Sequence, residues 1–292
     1  MKRLRQLLSK PWRPLIAALA CLLTALAAEQ LRAERSPSDI ERERFLQNAR
    51  FVGMERIPIG VANTRRATLS DGSLTHDAHV HTIDVTYQKF QTRRGIHFNF
   101  RDHYGFNVVA YRLDRLLHLN MVPVSVIRRL PRDNAVHRDI RGDYAAVTWW
   151  VDDVLMMDSE RHESGAKAPD PRSWNDQMYQ VRVFNQLVFN TDPNLTNLLI
   201  TTEWRLWTID FTRAFRPHRQ LENAALLQRI DRRVYRGLQA LSLEALQRET
   251  SHRLTRAERR GVMARRDAIL EVLAEKIAAR GEAAVICDRP GH

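Results

Sequence analysis

The distribution of apolar and polar residues divides the chain into a first part with strand character and a second part that is mainly helical. Short apolar runs bounded by turn residues predict strands at 52–59, 66–69, 78–85, 122–127, 144–151, 198–202 and 206–211. Asp71-Gly72 lies between the second and third runs, and this pair is typical of a tight hairpin turn. These runs predict a β-rich region over 51–158.

Helical periodicity is clearest where Phe106, Val109, Leu113 and Leu117 recur at one-turn intervals. This spacing predicts a helix over 106–117 with one apolar face. Further helices are predicted from Ser36-Pro37-Ser38-Asp39 to about 49, from Ser173 to 187, and at 224–241, 243–252 and 256–279, the last with a Thr255…Glu258 capping box.

The order of these elements predicts an α+β fold of two lobes. The small lobe, 51–158, is β-rich and carries one helix, and the large lobe, 159–292, is mainly helical. Residues 28–50 are predicted to form a helical extension in front of the small lobe.

Composition narrows the class of protein. The 292 residues include 46 Lys and Arg against 34 Asp and Glu, a formal net charge of +12, and 44% are hydrophobic, which excludes wholesale disorder. Cys21 and Cys287 are the two cysteines, so a disulfide scaffold is excluded. The basic residues are spread through predicted helices without an aromatic-basic motif, and we therefore expect no nucleic-acid partner.

The N-terminus has the pattern of an export signal. Five Lys and Arg side chains occur in the first 13 positions, and an uncharged run follows over 14–28. This run is shorter than the ~20 residues that a membrane-spanning helix needs, and Ala25-Leu26-Ala27 is a small-residue cleavage site. We expect residues 1–27 to be removed and the protein to be periplasmic or otherwise exported. The alternative is an uncleaved membrane anchor over 14–28.

The most informative segment is Asn190-Thr191-Asp192-Pro193-Asn194-Leu195-Thr196-Asn197, followed by two short apolar runs and Asp210. If these runs pair as a hairpin, Asp192, Asn197 and Asp210 meet around one small volume. Phosphoryl transfer uses such a set: a carboxylate for the acceptor, and Asn and Asp oxygens that hold Mg²⁺ on the phosphates.

At these residues the sequence resembles the atypical kinase-like superfamily, which includes phosphoinositide lipid kinases, HipA-type bacterial kinases and secreted kinases of the animal secretory pathway. The catalytic loop of that superfamily commonly reads D-R-H-x-x-N, and an aliphatic residue precedes its later metal-binding aspartate. The resemblance implies that Asp192 is the catalytic aspartate and that Asn197 and Asp210 are metal ligands. Pro193 and Asn194 replace the Arg-His of the pattern.

The resemblance extends to the nucleotide site, with two substitutions. It implies that Gly60 lies in a Gly-bearing turn, that His81 occupies the position of the phosphate-gripping lysine, and that Asn107 occupies the position of its partner glutamate. A neutral His and an Asn do not reproduce a Lys–Glu ion pair. The sequence offers three basic residues as substitutes for the missing lysine: Lys89, Arg93 and Arg94.

Other interpretations remain open at this stage. Asp192-Pro193-Asn194 is also ordinary turn chemistry, and Asp210 taken alone is compatible with a strand-end residue that makes a hydrogen bond or pairs with Arg213. The alternating His76, His79 and His81 suggest either a transition-metal site or solvent-facing strand residues. Tryptophans over 149–207 suit core packing better than a carbohydrate surface.

The sequence therefore predicts a metal-dependent phosphotransferase that acts on an unknown acceptor outside the cytoplasm, with Mg²⁺ or Mn²⁺ and ATP or another nucleotide as cofactors. The alternative is a catalytically inactive kinase-like protein that binds a nucleotide, a metal or a cell-envelope partner. Membrane contact is expected only if the N-terminal segment is uncleaved.

Overall fold

The computed structural model describes residues 37–57, 64–92, 95–130 and 143–288. The predicted leader and the predicted turn at Gly60 lie outside these residues. The helices are α1 (Asp39–Asn48), α2 (Gly105–Leu116), α3 (Asp158–Ser164), α4 (Pro171–Val188), α5 (Arg232–Ala240), α6 (Leu243–Thr250), α7 (Arg256–Arg280) and α8 (Glu282–Val285). The strands are β1 (Arg50–Arg56), β2 (Arg65–Ser70), β3 (Thr75–His81), β4 (Asp84–Thr92), β5 (Gly95–His103), β6 (Ser125–Arg129), β7 (Tyr144–Trp149), β8 (Val154–Met157), β9 (Leu198–Thr201), β10 (Leu206–Thr208), β11 (Ile230–Asp231) and β12 (Ile286–Cys287).

The chain divides into two compact units, 1–42 and 43–292. In the described part of the first unit, Ser38 caps the start of α1, and its Oγ donates to Glu41 Oε2 at 2.6 Å. The helix therefore begins at Asp39, slightly later than the Ser36-Pro37 pair predicts. Everything below concerns the second unit.

A five-stranded antiparallel sheet with strand order β1-β2-β3-β7-β6 forms the first part of this unit. Strand β3 is central, with Ala78 opposite Ala67 of β2 and opposite Trp149 of β7. Helix α2 packs against β6 and β7 and buries Phe106, Val109 and other apolar residues of its predicted face. The β-rich region with one helix is confirmed.

A buried carboxylate fixes the connection from α2 to β6. Asp114 Oδ1 accepts hydrogen bonds from the backbone N–H of Met121 at 2.9 Å and of Val122 at 3.2 Å, and its other oxygen pairs with Arg115. Burial raises the pKa of Asp114 to about 6, although Arg115 and these N–H donors oppose the shift.

Strands β4 and β5 form a separate hairpin between β3 and α2. The predicted strand at 78–85 is therefore two strands, because the chain leaves the sheet after His81 and starts a new pairing at Asp84. Arg216, which is 2% exposed, donates to the carbonyl oxygens of Arg101 at 3.1 Å and Asn99 at 3.2 Å. Arg101 also forms a 2.8 Å ion pair with Glu258 of α7. These contacts attach the hairpin to the helical part.

Two of the predicted helices in the second half of the chain begin at other residues in the structure. Helix α4 begins at Pro171, not Ser173, because the Asp170 side chain accepts from the backbone N–H of Arg172 and Ser173. The predicted helix 224–241 is instead a 3₁₀ turn over Ala224–Leu226, strand β11 and helix α5, each of the two helical pieces with its own capping side chain. The capping box at the start of α7 is confirmed.

The mixed architecture agrees with the predicted α+β class, while the lobe boundaries at 50 and 158 stay predictions. Within the ranges described above, no helix combines the length and the apolar character that a membrane crossing requires.

Candidate functional site

A cavity of about 500 Å³ brings the predicted site residues together. Asp192, Asn197, Asp210, His81 and Asn107 all line it, and Gly60 is the predicted site residue that lies outside the described ranges. The apolar part of its wall includes Val122, Pro123, Trp149, Val151, Val154, Met157, Leu199 and Ile209.

The predicted hairpin places the metal-ligand candidates side by side. Strands β9 and β10 pair antiparallel with Trp207 opposite Leu199. The pairing continues one step further, since the N–H of Ile209 donates to the carbonyl oxygen of Asn197 at 3.0 Å. Asp210 follows directly and has a positive φ of 57°, so the backbone turns sharply at this residue.

Local hydrogen bonds shape the loop that carries Asp192. The N–H of Asp192 donates to Asn190 Oδ1 at 3.1 Å, and Asn194 Nδ2 donates to Asp192 Oδ1 at 3.2 Å. Asn194 Oδ1 in turn accepts from the N–H of Thr196 at 2.9 Å. Asn194, one of the two departures from the kinase-like pattern, therefore holds the Asp192 carboxylate. Ordinary turn chemistry is present here, as the alternative interpretation expected.

Two oxygens in this corner accept no hydrogen bond from any described residue. Asn197 Nδ2 donates to the carbonyl oxygen of Asp192 at 3.4 Å, which leaves Asn197 Oδ1 without a donor. Asp210 Oδ1 accepts from the Thr212 hydroxyl at 3.1 Å, and no described residue donates to Asp210 Oδ2. Carboxylate and amide oxygens are hard donors, the type that Mg²⁺ and Mn²⁺ prefer.

His81 and Asn107 touch each other across β3 and α2. Asn107 Oδ1 accepts from the N–H of Phe211 at 2.7 Å, which fixes the orientation of the amide. Its Nδ2 then donates to His81 Nδ1 at 2.9 Å. His81 Nδ1 must therefore be unprotonated, and the ring proton sits on Nε2, 3.4 Å from the Thr64 hydroxyl. This series of hydrogen bonds links β3 to the segment that carries Asp210.

Both histidines of the cavity are neutral at physiological pH. Burial lowers the pKa of His81 to about 4. Burial also lowers the pKa of His79 well below its ordinary value, with a further contribution from His81, and the charge of Asp210 only partly opposes this. The His79 and His81 rings meet edge to face at 4.3 Å. Strand β3 thus supplies no positive charge to the cavity.

Arg213 is a site residue that the sequence interpretation missed. Its Nε donates to Asp102 Oδ2 at 2.7 Å and its Nη1 to Asp192 Oδ2 at 3.2 Å. Burial lowers the pKa of Arg213, but the hydrogen bond to Asp102 and the charges of Asp102, Asp192 and Asp210 outweigh it and raise the pKa. The pattern offered one clue, because Arg213 follows Asp210 by only three positions. In place of the alternative pair between Arg213 and Asp210, Arg213 bridges Asp102 and Asp192.

Comparison with solved structures identifies the architecture. Hydra Fam20 with sugar superposes with a TM-score of 0.65 at 15% sequence identity, covering 87% of this chain and 94% of that chain. The Golgi casein kinase with Mn/ADP bound gives 0.60 at 12% identity, covering 88% and 81%. A second structure of the Golgi casein kinase gives 0.56 at 12% identity, covering 85% and 78%. The chain has a kinase-like fold. No protein-family model and no curated protein sequence matches it.

The other candidate site residues from the sequence are the three substitute cations and the histidines of a transition-metal site. Lys89 is exposed on β4 and is not among the cavity residues, and Arg93 and Arg94 lie outside the described ranges. No three His, Cys, Asp or Glu side chains of the described residues group into a metal site, so the alternating histidines do not form one. His76 instead stacks on Trp149 and pairs with Asp152 at 2.8 Å.

Proposed function

We propose that this chain is a metal-dependent phosphotransferase that moves a phosphoryl group from a nucleotide to an acceptor hydroxyl. The observation that carries the proposal is the meeting of Asp192, Asn197 and Asp210 in one cavity of a kinase-like fold. A simple turn explains the local bonds of Asp192, but it does not explain why a second aspartate, 18 positions later in the sequence, lines the same cavity.

The donor set fits a divalent cation. No described residue donates a hydrogen bond to Asn197 Oδ1 or to Asp210 Oδ2, and both oxygens belong to residues that line the cavity. They would hold Mg²⁺ or Mn²⁺, which when bound supplies positive charge to the nucleotide phosphates. The similarity to a Golgi casein kinase solved with Mn/ADP supports this assignment.

The cavity also fits a nucleotide. Its volume of about 500 Å³ lies in the range of small-molecule sites, and its wall is largely apolar away from the acidic corner. We propose that a planar base lies against residues such as Val122, Val154 and Leu199 and that the phosphates extend toward Asp210. This arrangement separates an apolar end from a charged end, as a nucleotide requires.

Asp192 is the group that we assign to the acceptor. Its side chain is 40% exposed, so an incoming hydroxyl can reach it. Asn194 and Arg213 each hold one of its oxygens, which fixes the direction of the carboxylate. In this proposal Asp192 orients the hydroxyl and accepts its proton as the phosphoryl group is transferred.

The test is phosphate incorporation from radiolabelled ATP with Mn²⁺, into the chain itself and into added protein and sugar acceptors. Asp192→Asn should abolish incorporation while nucleotide binding persists, whereas Asp210→Asn should abolish both. Asp170→Asn, which changes a helix-capping carboxylate outside the cavity, is the matched control. Incorporation that survives Asp192→Asn unchanged contradicts the assignment.

His81 and Asn107 favour a second candidate, a kinase-like protein that binds a nucleotide without transferring phosphate. Neither side chain carries a charge where the kinase-like pattern has a Lys–Glu pair. Binding of ATP with Mn²⁺ in calorimetry, together with no incorporation under any acceptor condition, would select this candidate over the first.

We further propose that the protein acts outside the cytoplasm, on the basis of the leader pattern over 1–27. The test is a fusion of residues 1–35 to alkaline phosphatase, which is active only after export. Activity that is lost when the basic residues of the first 13 positions are changed to Gln supports export, and an inactive fusion opposes it.

A further inference from the structure

We propose that Arg213 supplies the positive charge for the nucleotide phosphates in this cavity, in place of the lysine that position 81 lacks. The inference rests on the proposed nucleotide-dependent function and adds a phosphate-binding residue to it. The new role explains how a site with a neutral imidazole at the usual lysine position still attracts a polyanion.

The distribution of charge around the cavity supports this role. Among the described residues that line it, Arg213 is the only Lys or Arg. His79 and His81 line the same cavity but are uncharged at neutral pH. A nucleotide triphosphate carries several negative charges, and Asp192 and Asp210 add two more to the same corner. Without Arg213, the described part of the wall offers that corner no fixed positive charge.

A buried carboxylate holds the Arg213 guanidinium at the cavity. Asp102 is fully buried and pairs with Arg213 Nε at 2.7 Å, while Arg213 itself keeps 24% of its side chain exposed. The buried end of the ion pair therefore anchors the exposed end at the cavity. The guanidinium plane also lies near the Phe90 ring, with the charged carbon 5.6 Å from the ring centroid.

The Arg213 guanidinium also has a donor that no described residue uses. Arg213 uses Nε for Asp102 and Nη1 for Asp192, and no described residue accepts a hydrogen bond from Nη2. A guanidinium has a planar fork of donors that matches phosphate oxygens. One arm can thus orient the Asp192 carboxylate while another binds a phosphate oxygen beside it. A purely structural pair with Asp102 requires neither the exposure nor the contact with Asp192.

The experiment compares ATP, ADP and adenosine, each with Mn²⁺, by calorimetry on the full chain. Removing Arg213 alone leaves Asp102 buried and unpaired, so the test variant is the double substitution Asp102→Asn/Arg213→Gln, and Arg213→Lys is the second variant. Arg219→Gln, which removes an exposed positive charge outside the cavity, is the matched control. Circular dichroism and thermal unfolding confirm that each protein folds.

We expect the double variant to bind ATP about 10- to 100-fold more weakly and adenosine unchanged, because a charged hydrogen bond to phosphate is lost. Arg213→Lys should be intermediate, since it keeps the charge without the fork, and Arg219→Gln should match the unaltered chain. Equal loss for ATP and adenosine indicates a structural role and overturns the inference.

The outcomes also separate this inference from the proposed function. If the unaltered chain binds ATP and the folded double variant binds it equally well, the function stands and the role of Arg213 is refuted. If the unaltered chain binds no nucleotide, the proposed function fails, and tripolyphosphate becomes the deciding probe for Arg213. The inference is overturned if the unaltered chain and the double variant bind tripolyphosphate equally well, or if neither protein binds it.

Discussion

Acid should destabilise this protein through the buried imidazole of His81. The ring is 1% exposed, and its Nδ1 must stay unprotonated to accept from Asn107. Burial lowers its pKa from 6.5 to about 4. Between these values the unfolded chain binds the proton and the folded chain does not, so the free energy of unfolding falls as the pH drops through this window. The full effect is about 3 kcal/mol, of which about 2 kcal/mol is lost by pH 5.

The assay is urea unfolding followed by tryptophan fluorescence at pH 8 and pH 5, for the unaltered chain and for His81→Asn. Asparagine keeps an acceptor for Asn107 but does not titrate, and the neighbouring His79 is present in both proteins. We expect the unaltered chain to lose about 2 kcal/mol more than the variant between the two pH values. Equal losses would refute the reasoning.

Three further predictions follow from the packing. The double substitution His81→Lys/Asn107→Glu places opposite charges where the ring and the amide now lie 2.9 Å apart, so the ATP affinity measured by calorimetry should rise about tenfold. The single substitution His81→Lys should instead lower Tm, because its charge is buried without a partner. Burial raises the pKa of Asp114 to about 6, so the folded chain takes up a proton on this carboxyl before the unfolded chain does as the pH falls. Relative to Asp114→Asn, the unaltered chain should gain about 2 kcal/mol of unfolding free energy, measured in urea, between pH 7 and pH 4. Gly237→Ala sets a methyl 3.0 Å from the Leu117 Cα and should cost about 1–3 kcal/mol, and an unchanged Tm would contradict this.

Local patterns predicted the parts of the fold that local physics determines. The apolar face of α2 and the capping box of α7 depend on residues three or four positions apart, and both are present. The β9–β10 hairpin also follows from its short turn, and it brings Asn197 beside Asp210 as predicted. The sequence therefore anticipated the acidic corner of the cavity.

The remaining features depend on contacts between residues that are far apart in the sequence. The Arg213–Asp102 pair joins residues 111 positions apart, and Asp102 looks like any polar strand residue until the hairpin is docked. The position of the β4–β5 hairpin likewise involves a distant residue, since Arg216 binds the carbonyl oxygens of Arg101 and Asn99 on β5. Helix starts were misplaced where a side chain just upstream, such as Asp170, was the better cap.

Two hydrogen bonds fasten the start of α2 and the end of β5 to the residues that follow Asp210. Many kinases are switched by moving the corresponding helix toward or away from the nucleotide. Here the Asn107 side chain of α2 accepts from the N–H of Phe211 at 2.7 Å. His103, the last residue of β5 and two positions before α2, donates its N–H to the carbonyl oxygen of Thr212 at 2.9 Å. An outward swing must break both bonds at once. The two bonds therefore favour a single position of α2, and under the proposed function the rate of transfer would follow the amount of protein and the supply of donor and acceptor.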